Sequence, residues 1–176
     1  MIRRSKFTKT DQPVIMSSQT ELITTFYTAF QKKDYRGMNS CYAQDIIFND
    51  PAFGILQGDE VRAMWKMLCT NAKDFSLTFT NIQLLDEEYA TCNWTALYSF
   101  SKTGRKVVNN VKAHMRIENG LITEHTDQFN IWTWSRQALG LPGIILGWSN
   151  YIKSKIQNNA RKSLGQFMDK EEGINN

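Results

Sequence analysis

Proline and histidine are scarce in this 176-residue chain, with three and two copies, and cysteine is nearly so. Cys41, Cys69 and Cys92 are an odd number at wide spacings, with no Cys-x-x-Cys pair. With His114 and His125 far from one another's spacing rules, they compose neither a zinc site nor a disulfide framework. Three reduced thiols suit the cytosol. No apolar run approaches the roughly 20 residues of a membrane-spanning helix. The opening Met1-Ile-Arg-Arg-Ser-Lys6 is not followed by the apolar stretch of a secretory signal. These absences predict a cytoplasmic protein without stable membrane insertion, and nothing in the chain calls for a metal or a cofactor.

Positive charge is also short where a nucleic-acid binder would need it. The net charge is +4, but Arg3, Arg4, Lys6 and Lys9 account for all of it, with no acid among the first ten residues. The remaining 17 bases meet 17 acids. No basic face is implied, so no nucleic-acid partner is expected. Residues 1–16 read as a loose, solvated basic arm, with a weak phosphate or membrane contact or an organellar presequence as alternatives.

Hydrophobic residues make up 41% and charged residues 22%, ordinary for one globular domain. Ser18 and Glu21 have capping-box spacing and predict a helix start, with Leu22, Phe26, Ala29 and Phe30 on one stripe to about Lys33. A short helix is expected from Asp34 to Tyr42 and a short strand over 44–49, stopped at Asp50-Pro51. Residues 52–58 read as a loop, and Asp59 as the cap of a helix carrying Val61, Met64, Trp65 and Leu68. Four long strands follow over 75–85, 89–101, 106–118 and 121–131. Asn119-Gly120 is a strong hairpin signal between the last two. Gly140-Leu-Pro-Gly143 reads as a break, and an amphipathic helix from about Ile144 repeats Trp148, Ile152, Ile156, Ala160 and Leu164. The predicted organisation is an arm (1–16), a domain (17–143) and a C-terminal helix with its tail (144–176). The predicted fold is α+β: a cone-shaped, curled antiparallel sheet wrapped over N-terminal helices, plus a C-terminal helix. The mouth of such a cone is a natural pocket.

Gly120 to Gln128 carries the main chemical signal. Side chains on a strand alternate faces, so His125 and Asp127 point the same way, together with Leu121, Thr123 and Phe129. A carboxylate aimed into an apolar interior must be paired, hydrogen-bonded or functional. One reading is a satisfied structural pair; the other is a general base with its partner. On the third long strand Val107, Val111, Ala113, Met115 and Ile117 face inward, and Lys112, His114 and Arg116 outward. Asn109 shares the inward face. Trp94, Tyr98, Trp132 and Trp134 are core residues or the lining of an aromatic pocket. Asp50, directly before proline, is a turn cap or a pocket acid.

Three segments resemble the nuclear-transport-factor-2-like superfamily, in particular its SnoaL-like polyketide cyclase and ketosteroid isomerase branch. They are Tyr42-Ala-Gln-Asp-Ile-Ile-Phe-Asn-Asp-Pro-Ala-Phe-Gly-Ile-Leu-Gln-Gly58 with the helix after it, Arg116-Ile-Glu-Asn-Gly-Leu-Ile-Thr-Glu-His-Thr-Asp127, and Trp134-Ser-Arg-Gln-Ala-Leu-Gly-Leu-Pro-Gly143 to Trp148. The last is similar to the tail of a mostly uncharacterised bacterial subgroup. The resemblance places Asp50 at the general base of ketosteroid isomerases and Asp127 at the acid/base aspartate of SnoaL-like cyclases, with His125 as its polar partner. It places Phe26 and Ala113 where the isomerases carry their two oxyanion donors, so authentic ketosteroid isomerase chemistry is not expected. The arginine of limonene-epoxide hydrolases has no counterpart on an inward strand face: Arg105 lies in a turn and Arg116 points outward.

Two functions follow from the resemblance. One is a cofactor-independent isomerase or cyclase acting on a hydrophobic, carbonyl-bearing small molecule, with Asp127, His125 and Asp50 in the site and Trp94, Tyr98, Asn109, Phe26 and Phe129 lining it. The other is a non-catalytic ligand-binding or interaction module with a vestigial pocket. A homodimer through the outer sheet face, carrying Leu97 and Val108, is expected in both.

Overall fold

The computed structural model of the chain describes residues 12–146 and 149–174. Helix α1 (Gln12–Gln31) begins earlier than its capping-box signal, so Ser18 and Glu21 lie inside a helix already under way. Pro13 stands in the first turn, where its missing N–H breaks no helical bond, and nothing from there to Ser18 stops the helix. The expected loose arm is therefore helical over 12–16, and its remainder lies outside the described residues. α2 (Tyr35–Ser40) follows, with the Asp34 carboxylate accepting the Gly37 N–H as its cap.

β1 (Tyr42–Asp50) turns through Pro51–Phe53 into β2 (Gly54–Gln57), where a loop was expected. Gly54 has φ +71°, the left-handed geometry that lets this tight return close. α3 (Asp59–Asn71) leads to β3 (Lys73–Leu84), β4 (Tyr89–Ser99), β5 (Lys106–Glu118) and β6 (Leu121–Gln128). The six strands form one curled, unclosed sheet in the order β2-β1-β6-β5-β4-β3. Four pairings are antiparallel and the β1–β6 seam is parallel.

The inner face of β5 carries Val107, Asn109, Val111, Ala113, Met115 and Ile117, all buried; the last four share a core with Ile23, Phe26 and Phe30 of α1 and Val61, Met64 and Trp65 of α3, whereas Val107 packs with Trp134 and Ala138. Strand β6 departs from simple alternation. Ile117 pairs with Ile122 but Arg116 pairs with Glu124, so Thr123 is one residue more than β5 supplies. Such a bulge exchanges the faces of everything beyond it. Leu121, expected inside with His125 and Asp127, is 37% exposed; Ile122 is buried in its place, and His125 and Asp127 are buried beyond the bulge.

Three helices close the chain: α4 (Ile131–Leu139), α5 (Leu141–Leu146) and α6 (Asn150–Ile174). Leu-Pro-Gly opens a helix here rather than ending one. Gly143 is required, because a Cβ there would overlap the Ser135 carbonyl of α4. Ile152 and Leu164 of the expected stripe are buried, with Ile156 and Ala160 partly so, while Trp148 lies outside the described residues. α6 is fastened by an ion pair from Lys66 of α3 to Glu171, and by Gln157 and Arg161 on the β1–β2 turn.

Candidate functional site

Between the concave sheet face, α3 and α6 lies a cavity of about 530 Å³. Its wall is mostly aromatic and aliphatic, with Phe48, Trp65, Trp94, Phe129 and Trp134 among the larger contributors. Two carboxyl groups open onto it: Asp50 from the end of β1 and Asp127 from the end of β6. Asn109 and Tyr98 add polar atoms to the lining. Of the residues expected to line a pocket, Trp132 is 38% exposed and off the cavity, and Phe26 also stands elsewhere. It is fully buried beneath the cavity, its ring edge-on to His125 at 5.5 Å between centroids.

Asp127 is held by two donors on the same oxygen. The Trp94 indole N–H reaches its Oδ1 at 3.1 Å, and His125 Nε2 lies 3.0 Å from that atom. Behind it, His125 Nδ1 is 2.7 Å from the Tyr42 hydroxyl, which in turn accepts the Trp65 indole N–H at 3.0 Å. A neutral imidazole protonated on Nε2 satisfies this whole series: Trp65 donates to Tyr42, Tyr42 to His125, and His125 to Asp127. His125 is 1% exposed and does not line the cavity. Phe26, Phe48 and Trp65 box in its ring. It therefore acts on Asp127 from behind and has no direct line to a ligand.

Asp50 both caps the turn and faces the cavity. Its Oδ1 accepts the N–H of Ala52 at 3.0 Å and that of Phe53. Burial nevertheless pushes its carboxyl up to about 7, against those amide bonds, and the negative charge of Asp127 adds to the rise. The turn is fixed from outside by α6. Gln157 Nε2 donates to the Pro51 carbonyl at 3.2 Å, and Arg161 donates to the carbonyls of Phe53, at 2.9 Å, and of Ile55.

Tyr98 is the cavity's phenol. Its oxygen accepts the Trp134 indole N–H at 2.7 Å, and burial raises its pKa, with Asp50 contributing. Tyr27, one position along α1 from Phe26, is fully buried and off the cavity, with no hydrogen-bond partner for its hydroxyl. Ala113 faces Asp127 across the β5–β6 ladder and offers no donor. The thiols are no substitute nucleophiles: burial pushes Cys69 and Cys92 up to about 11 and raises Cys41 as well. Among the described residues no group of His, Cys, Asp and Glu is placed to hold a metal ion. His114, outward-facing as expected, takes no part.

Sequence reasoning missed Tyr42 and Trp65 as partners of His125. The usable signal was Tyr42 opening a strand four residues before the inward Ile46, but which strand pairs with it cannot be read from spacing.

A curled sheet, helices on its concave face and an apolar cavity with two acids define a pocket-bearing α+β protein. The SnoaL-like domain model matches residues 23–125, more than half of the chain, and the chain belongs to that family. No curated protein matches it. Solved structures of similar fold include a nuclear-transport-factor-2-like protein of unknown function from Burkholderia pseudomallei, 21% identical, with 69% of this chain and 97% of that one covered and a TM-score of 0.62. Another is a protein with a ketosteroid isomerase-like fold from Catenulispora acidiphila in complex with trimethylamine, at 17% identity, 73% and 97% coverage and TM-score 0.61. A third is a candidate polyketide cyclase from a Silicibacter species, at 18% identity, 68% and 94% coverage and TM-score 0.57. These relatives are covered almost end to end, whereas about three-tenths of this chain falls outside each match.

Proposed function

We propose that the cavity binds a hydrophobic small molecule bearing a carbonyl group and transfers a proton at the carbon beside it, as a cofactor-independent isomerase or cyclase. The observation that carries this reading is that Asp50 and Asp127 open onto one cavity of mostly aromatic and aliphatic lining and are its only carboxyl groups among the described residues. Asp127 accepts twice on Oδ1, which leaves Oδ2 to take the proton; His125 fixes its orientation. Asp50, close to half-protonated at neutral pH, is suited to donate to the developing enolate oxygen. Tyr98 is a second donor, because its oxygen is occupied by Trp134 while its own proton is available. Trp94 and Phe129 offer the ligand aromatic surface and Asn109 a polar group on the same lining.

The competing reading is a binding module without turnover. It is favoured by the placement of Phe26 and Ala113, which leaves no donor beside Asp127 from either position. Incubating the protein with enolisable cyclic ketones in D₂O, and following α-proton exchange by NMR, separates the two. Exchange that is lost in Asp127→Asn supports catalysis; ketones that bind wild type with no exchange support the module. In either case we propose a homodimer across the outer sheet face. Leu97 and Val108, directly paired across β4 and β5, are 46% and 42% exposed there.

A further inference from the structure

We infer that α5 and the start of α6 form a docking surface for anionic lipid bilayers, beside the wall of the cavity. The inference is independent of whether the cavity is catalytic.

Leu141 and Ile144 lie three positions apart on α5, on one helix face, and are 72% and 50% exposed. Tyr151, at the start of α6, is 68% exposed, and Ile145 is exposed too. Four large apolar side chains within eleven residues are more than the scatter of single hydrophobics normal on a protein surface. The charge on this stretch of chain has one sign. From Phe129 to Met168 the chain carries no acid and five bases: Arg136, Lys153, Lys155, Arg161 and Lys162. Lys155 lies 5.8 Å from the Tyr151 ring centroid, and the Arg105 guanidinium packs against Gly140, next to Leu141. Among the described residues, Arg105, Arg136, Lys153 and Lys155 have no ion-pair partner.

Exposed aliphatics with Arg105 and Lys155 beside them, on a stretch of chain without acids, match the boundary of an anionic bilayer, where apolar side chains enter the acyl layer and cations meet headgroups. A second copy of the chain fits less well, because self-pairing would set these cations against one another. The same segments also face inward: Pro142 of α5, and Ile152 and Lys155 of α6, line the cavity. A docked molecule would thus hold its cavity wall at the membrane surface. No described helix is long and apolar enough to cross a membrane, so attachment is peripheral.

The test is co-sedimentation of the full chain with phosphatidylcholine vesicles, with and without phosphatidylglycerol. Binding is expected only with the anionic lipid, weakening as salt is raised. Lys153→Gln with Lys155→Gln should weaken it by about fivefold per charge. Leu141→Asp with Ile144→Asp should abolish it with the melting temperature unchanged. A full-length variant with Arg3, Arg4, Lys6 and Lys9 all changed to Gln should still bind. The proposal is overturned if wild type ignores both vesicles or if neutralising the arm alone removes binding. It is equally overturned if Leu141→Asp with Ile144→Asp converts a dimer to a monomer without touching vesicle binding.

Discussion

Tyr42 and His125, 83 positions apart, meet through a 2.7 Å hydrogen bond across the sheet's one parallel seam. The bond holds Nδ1 toward Tyr42 and Nε2 toward Asp127, and with Tyr42 as donor the imidazole proton is left on Nε2. Tyr42→Phe deletes the hydroxyl and leaves His125 Nδ1 and the Trp65 indole N–H buried without their partner. We expect a loss of about 2–4 kcal/mol in denaturant unfolding. Imidazole ¹⁵N shifts should also show the protonated nitrogen no longer fixed. Unchanged stability and tautomer would mean that the bond does not organise the site.

Asp127→Asn should remove α-proton exchange by about 10²–10⁴-fold while leaving the melting temperature near wild type, since the amide fills the same space but cannot take a proton. His125→Gln should cost less, because His125 reaches a ligand only through Asp127. An equal loss in both variants would contradict an orienting role. Full exchange in Asp127→Asn with loss in Asp50→Asn would move the base to Asp50.

Asp50 makes stability depend on pH in a stated direction. Its folded carboxyl sits at about 7 against an ordinary 3.8, so between those values the folded chain holds a proton that the unfolded chain has released. Stability from this group therefore falls as pH rises from about 4 to 7. Asp50→Asn, which cannot ionise, should be more stable than wild type at pH 8, by about 2–4 kcal/mol, and no more stable at pH 4. Parallel pH–stability curves for the two proteins would rule this out.

Arg161 supplies a remote handle on the same carboxyl. Arg161→Ala frees the carbonyls of Phe53 and Ile55 and loosens the turn that buries Asp50. A carboxyl ¹³C titration should then show Asp50 falling from about 7 toward ~4. If its titration stays in place, α6 merely packs on the turn.

The outer face can be tested without a ligand. Leu97→Lys places a charge opposite Val108 at the centre of the proposed contact, and should turn a dimer into a monomer in sedimentation velocity. A wild-type monomer at micromolar concentration would dispose of the proposal directly.

Much of this was legible in the sequence where one strand or helix decides the matter alone. The parity of β5, from Val107 to Ile117, needed only alternation, and the Asn119-Gly120 hairpin only turn chemistry. His125 and Asp127 do face inward, yet Leu121 does not share their face, because the bulge at Thr123 interrupts the alternation between them. Residues 52–58 read as a loop because the four residues of β2 are too few to show a period, and the pairing of Ile55 and Leu56 with Asn49 and Phe48 is a tertiary fact. Tyr42 was missed for the same reason. Its partner is chosen by how β1 and β6 lie side by side, and no local rule states that.

The extra residue in β6 makes the bulge that houses it, rather than any side chain on the strand, the carrier of the site's orientation. Thr123 itself contributes one long 3.4 Å bond to the Arg116 carbonyl, so changing its identity should be tolerated. How the extra residue is housed is another matter. With Gly120 fixed in its turn, drawing Thr123 into a regular ladder would restore strict alternation from Ile122 and carry His125 and Asp127 to the face now held by Glu124 and Thr126. Two acids would no longer share a cavity, though every one of their atoms was still present. Deleting Thr123 would instead take the bulge away and leave both side chains facing inward, so the kink in the strand aims the aspartate.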